Sequence, residues 1–95
     1  LENIIAALPM NAKPYFYRTA AGAEIDLVIE KGNQRMAIEI KRSASPVISK
    51  GFHIGCQDLN TTQQFVVYPG SEIFSMGAGI EALPIFDIIN KIHQV

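Results

Sequence analysis

The sequence has one cysteine, Cys56, among its 95 residues. That excludes an intrachain disulfide and a thiolate metal cluster, and it makes a reducing, cytoplasmic setting the expectation. No apolar run approaches the roughly 20 residues needed to cross a bilayer, and no signal-peptide pattern occurs, so no membrane role is expected. An excess of charge is missing too. A formal net charge of -1 lacks the global basic signature of a dedicated nucleic-acid-binding protein. There are no repeats or low-complexity tracts. Gly77-Ala78-Gly79 lacks the lysine and following helix that a nucleotide-phosphate loop needs.

What is present is enough apolar material for one core. At 48% hydrophobic, the 95 residues suit a single domain over 1–95 and are too few for two. The chain opens at Leu1 inside a helical pattern, which reads as a fragment of a longer polypeptide. Five of the eight basic residues, Lys31, Arg35, Lys41, Arg42 and Lys50, fall between positions 31 and 50. They form either a local phosphate-facing patch or a set of solvated strand ends.

The densest signal is a β-hairpin. Ala23 to Glu30 and Arg35 to Arg42 both alternate apolar and polar residues around a turn at Gly32-Asn33. With those two residues at the tip, Lys31 faces Gln34, Asp26 faces Glu39 and Glu24 faces Lys41. One face then carries Ile25, Leu27, Ile29, Met36, Ile38 and Ile40, a core face. The other carries Glu24, Asp26, Val28, Ala37, Glu39 and Lys41. Two opposed carboxylates with β-carbons about 4.5–5.5 Å apart repel, and Lys41 is the one cation within a pair of them.

Around the hairpin the chain reads in order. Leu1, Ile4, Ile5 and Leu8 repeat at helical spacing up to Pro9, and Tyr15 to Arg18 is a short aromatic strand. Ser49 is the expected N-cap of a helix of roughly ten residues ending at Leu59. Gln63 to Tyr68 is a strand reached by that helical crossover, hence parallel to the strand from Arg35. Glu72 to Ser75 and Ile80 to Leu83 read as short edge strands, and Pro84 opens a closing helix with Ile85, Ile88, Ile89 and Ile92 on one side. The expected class is α/β with a mixed sheet.

Asp26 and the Glu39-Ile40-Lys41 run carry the chemistry. Two carboxylates, the Ile40 backbone carbonyl and water make a hard-oxygen site suited to Mg²⁺ or Mn²⁺, which bridges to phosphate oxygens. Such an ion lowers the pKa of a bound water, and Lys41 offsets charge growing in the transition state, so the expected reaction is phosphodiester hydrolysis. The same residues also suit a solvated sheet face whose ion pairs contribute at most about 1 kcal/mol each. Composition does not choose between the two. His53, Lys50, Gln57 and Gln63 are weaker candidates for proton transfer or phosphate contact, Tyr15, Phe16 and Tyr17 for base stacking.

The run Phe16-Tyr17-Arg18-Thr19, then Gly22 to Val28, then Ala37-Ile38-Glu39-Ile40-Lys41 and Ser43 resembles the C-terminal domain of unknown function of prokaryotic AAA-type ATP-binding proteins. That domain is similar in its motifs to the PD-(D/E)xK restriction-endonuclease-like superfamily. The resemblance implies a helix-strand-strand-strand-helix-strand core and a metal-dependent nuclease acting on nucleic acid, DNA above all, with an ATPase module upstream in the full chain. It puts the metal ligands on Asp26 and Glu39 and the catalytic lysine on Lys41. Ile25 stands where the motif's proline would be. The first-helix glutamate of many members falls on Glu2, and Glu2 or, from the hairpin face, Glu24 is the candidate for a further metal ligand. The alternative from another class is a noncatalytic nuclease-fold module that binds nucleic acid or a partner and regulates the ATPase.

Overall fold

The alternation between residues 23 and 42 builds the centre of the sheet. In the computed structural model, which describes residues 1–94, the order is α1 (Glu2–Ala6), β1 (Lys13–Arg18), β2 (Glu24–Lys31), β3 (Gln34–Ile40), α2 (Lys50–Leu59), β4 (Gln63–Val67), β5 (Phe74–Ser75), β6 (Ile80–Leu83) and α3 (Ile85–His93). The six strands form one mixed sheet ordered β1-β2-β3-β4-β6-β5. Gly32 opens the two-residue hairpin turn at φ 59°, a left-handed conformation that glycine adopts without Cβ strain. The expected register holds from Lys31↔Gln34 to Leu27↔Ile38. β4 is parallel to β3, as the helical crossover requires.

Two expectations fail at the far side of the sheet and at the start. Ile80 to Leu83 is not an edge strand: β6 lies between β4 and β5, parallel to the former. Burial of Ile80, Ala82 and Leu83 accounts for it, because a strand covered on both faces belongs inside a sheet. α1 stops at Ala6, and Leu8 packs against the core from beyond the helix.

Helices cover both faces. α1 and α3 bring Ile4, Ile88 and Ile92 onto Leu27, Ile29, Met36, Ile38, Phe65 and Leu83. α2 lays Phe52, fully buried, over Ile25, Val28, Ala37, Val66 and Ile80 on the other face. Ile25 was expected beside Leu27 and is instead beneath α2. The cause is a β-bulge: Tyr15 faces Val28 and Tyr17 faces Ile25, so Phe16 alone spans Asp26 and Leu27. An extra residue shifts the side-chain alternation by one and turns everything before it to the opposite face. Among the described residues, no helix is long and apolar enough to cross a membrane.

The bulge lets α2 come close. A Cβ on Gly55 would lie 2.7 Å from Ile25 Cγ1, and one on Gly51 would lie 2.7 Å from the Gly22 carbonyl oxygen. Glycine at both positions makes the helix flat where it meets β2. At the hairpin-tip end, Tyr15 donates to Glu30, whose carboxylate also sits 2.9 Å from Arg35 Nε. Arg35 donates in turn to the Leu59 carbonyl at the end of α2, and its backbone exchanges bonds with Thr62. Burial, then the Glu30 bond, pushes the Tyr15 phenol from 10.0 up to about 12.

Two outcomes follow from this packing. Gly55→Ala gains about 1 kcal/mol of helix propensity but overpacks a buried isoleucine, which costs about 1–3 kcal/mol. The net is expected to lower the urea midpoint, and an unchanged or raised midpoint would show that α2 can lift from β2. For Tyr15, the native state keeps its proton above the pH at which the unfolded chain loses it. Its contribution is therefore complete below pH 10.0 and is lost as pH rises toward about 12. Tyr15→Phe should flatten that alkaline loss of stability and remove a tyrosinate step at about pH 12 in a near-ultraviolet titration.

Candidate functional site

The bulge also ends the β2–β3 ladder early. Beyond Leu27↔Ile38 the backbones separate, so the expected pairs of Asp26 with Glu39 and of Glu24 with Lys41 do not form. Asp26 fills the opening. Its Oδ2 accepts the Ile40 amide at 2.9 Å, standing in for a backbone carbonyl. Strand amides point along the sheet, so this bond sets the Asp26 carboxylate between the strands rather than on the face beneath α2. β3 then turns to β4, where the Lys41 amide donates to the Val67 carbonyl at 2.8 Å. The amide held by Asp26 belongs to the residue between Glu39 and Lys41. Asp26 thus lies beside the segment that carries Glu39 and Lys41, at the carboxyl end of the parallel strands, where open α/β sheets bind ligands.

Glu39 is the buried member, with 7% of its surface exposed. Its Oε1 accepts from Ser49 Oγ at 2.8 Å and lies 3.2 Å from Lys41 Nζ. Its Oε2 is buried with no hydrogen-bond partner among the described residues. A carboxylate oxygen withdrawn from water and left unpaired is costly unless a cation meets it. Nearby, burial pushes the Cys56 thiol pKa up, and the Glu39 carboxylate adds to the rise.

The other candidates sit apart. Glu24 is exposed and ion-paired to Arg18 at 3.0 Å, not to Lys41. Glu2 is exposed on α1, which covers the face opposite α2. His53, Lys50 and Gln57 are exposed on α2, and Gln63 starts β4 at the other end of the sheet. Phe16 is exposed, while Tyr15 and Tyr17 pack beneath α2. The basic cluster divides: Lys31 and Arg35 lie at the hairpin tip, Lys41, Arg42 and Lys50 near the acidic end. The larger clefts, of about 330 Å³ around Glu30, Arg35 and Asn60 and about 350 Å³ around Gln34, Gln63 and Lys91, are at the tip end. One of about 180 Å³, lined by Leu1, Ile5, Phe16 and Leu27, reaches Asp26.

Among the described residues, no group of three or more His, Cys, Asp and Glu side chains is placed to hold a metal. The donors available are two carboxylates and a carbonyl, and the unpaired Glu39 Oε2 is the observation that fits a hard cation keeping most of its shell as water. Ser49 was legible as a helix cap but not as the partner of Glu39. Ten residues separate them in sequence, and only the packing of α2 on β3 joins them.

Comparison with known proteins adds the family. The chain is 34% identical over 89 residues to the uncharacterized protein Rv2008c of Mycobacterium tuberculosis, covering 94% of this chain and 20% of that protein. The uncharacterized protein Mb2031c of Mycobacterium bovis matches to the same extent. The chain therefore spans about one fifth of the length of the curated relatives it matches. No solved structure matches it significantly. The model of the domain of unknown function DUF4143 matches residues 1–88, nearly the whole chain, and the chain belongs to that family.

Proposed function

We propose that this domain is a metal-dependent nuclease of the PD-(D/E)xK restriction-endonuclease-like type, acting on DNA in the cytoplasm and joined to an ATPase module in the full-length protein. The observation that carries the reading is the Glu39 carboxylate, which is buried, held on Oε1 by Ser49 and Lys41, and without a hydrogen-bond partner at Oε2. Asp26 and Glu39 would hold Mg²⁺ or Mn²⁺, with the Ile40 carbonyl as a further oxygen. When bound, the ion activates water and polarises the scissile phosphate. Lys41 pairs with Glu39 at 3.2 Å, and its ammonium offsets negative charge that develops on the phosphate. Asp26 holds the end of β3 through the Ile40 amide, so the strand bearing Glu39 and Lys41 stays in place while substrate binds. Lys50 and Arg42, exposed near this end, supply positive charge to a nucleic-acid backbone.

The test uses the full-length protein, plasmid DNA and a titration of Mg²⁺ or Mn²⁺. Wild type should cleave only with metal. Asp26→Asn retains an oxygen for the Ile40 amide, so it should keep the fold while losing roughly 100-fold or more in rate, as should Glu39→Gln. Cleavage without metal, or none at all, would defeat the reading. DNA binding without cleavage would assign the noncatalytic alternative, which the net charge of -1 also suits.

A further inference from the structure

We infer that Ser49 is a positioning residue for Glu39, fixing which carboxylate oxygen is left to a divalent cation; this rests on the metal reading above. A serine hydroxyl has one proton and two lone pairs. Ser49 Oγ accepts the Phe52 amide at 3.2 Å, which caps α2, and so its proton goes to Glu39 Oε1 at 2.8 Å. Lys41 Nζ reaches that same oxygen. Both protein donors therefore load one oxygen, and Oε2 remains buried without a partner among the described residues. The helix that Ser49 caps is packed close to β2, because Gly51 and Gly55 bring α2 against Gly22 and Ile25 with no space for a Cβ. Glu39 is thereby oriented by a helix that contributes no ligand of its own. Outer partners of this kind, which touch the ligand and not the ion, hold carboxylates in the geometry that binding needs.

Capping and orienting can be separated by substitution. Glycine is nearly as good as serine at an N-cap but has no hydroxyl, whereas threonine supplies both. The measurement is Mn²⁺ affinity of the full-length protein without nucleotide, by the electron paramagnetic resonance of free Mn²⁺. The relevant component is the binding lost in Glu39→Gln, with hydrogen exchange across residues 50–59 followed in parallel. Ser49→Gly should weaken that component roughly tenfold or more, while Ser49→Thr stays within about twofold of wild type. Exchange across α2 should match wild type in both. Unaltered Mn²⁺ affinity in Ser49→Gly overturns the inference, as does a loss that tracks faster exchange in α2, since capping alone would explain it. If wild type shows no Glu39-dependent Mn²⁺ binding, the metal reading itself falls and this inference with it, an outcome distinct from wild-type binding that Ser49→Gly leaves intact.

Discussion

One extra residue in β2, at Asp26 and Leu27, sets the geometry of everything at the acidic end of the sheet. Without it, Ile25 would lie with Leu27 under α1 and α3, and α2 would meet the Glu24 side chain instead. With it, Ile25 becomes the floor on which the flat side of α2 rests. The same irregularity separates β2 from β3 beyond Leu27, leaving the Ile40 amide without a backbone partner. Asp26 takes that amide, and the bulge that opened the sheet also delivers the residue that closes it. Bulges recur where a strand must re-aim a side chain. Here the residue re-aimed is an acid, and it is aimed at the strand that carries the other two polar groups.

Glu39 depends on this arrangement energetically. A buried carboxylate is tolerated when charge and hydrogen bonds compensate its lost hydration. Lys41 supplies the charge, and Ser49 supplies a hydrogen bond from a helix whose positive dipole end lies at the same place. Compensation stops at one oxygen. A stability-driven core would more simply place an apolar residue there, as at Ala37 and Val66 on the same face. The retained half-satisfied acid is thus an exception to the local packing rule, and such exceptions concentrate at sites of function.

Much of the fold was legible because period-two alternation and turn chemistry act locally. Gly32-Asn33 and the residues flanking it set the register as far as Leu27 and Ile38, and Ser49 began α2 as its side chain requires. The bulge was not legible from pairing rules, although Leu27-Val28-Ile29 breaks the alternation that holds from Ala23 to Leu27 and marks the place where one face can no longer be apolar alone. The interior position of β6 was hidden because Ile80-Glu81-Ala82-Leu83 is too short for its period to show two buried faces. At the site, the pairing of Lys41 with Glu39 brings together neighbours in sequence, but the partner of Asp26 was not legible. Asp26 reaches a backbone amide between the strands instead of facing Glu39 across them.

The two ends of the hairpin differ in what their polar groups join. At the tip, Tyr15, Glu30, Arg35, Leu59 and Thr62 close a network in which charge meets charge and backbone meets side chain. That network joins β1, β2 and β3 to the end of α2 and leaves the Glu30 carboxyl below its ordinary range, chiefly through the Tyr15 bond. The opposite end has the same ingredients, an acid, a cation and a hydroxyl, yet one acid oxygen is left over. Since the strands and α2 run between both ends, the cross-linked tip can hold the scaffold while the other end keeps a buried acid oxygen without a hydrogen-bond partner. Under the proposed reading, the support for the site and the acid that would meet a ligand lie in different places, separated by the length of one β-hairpin.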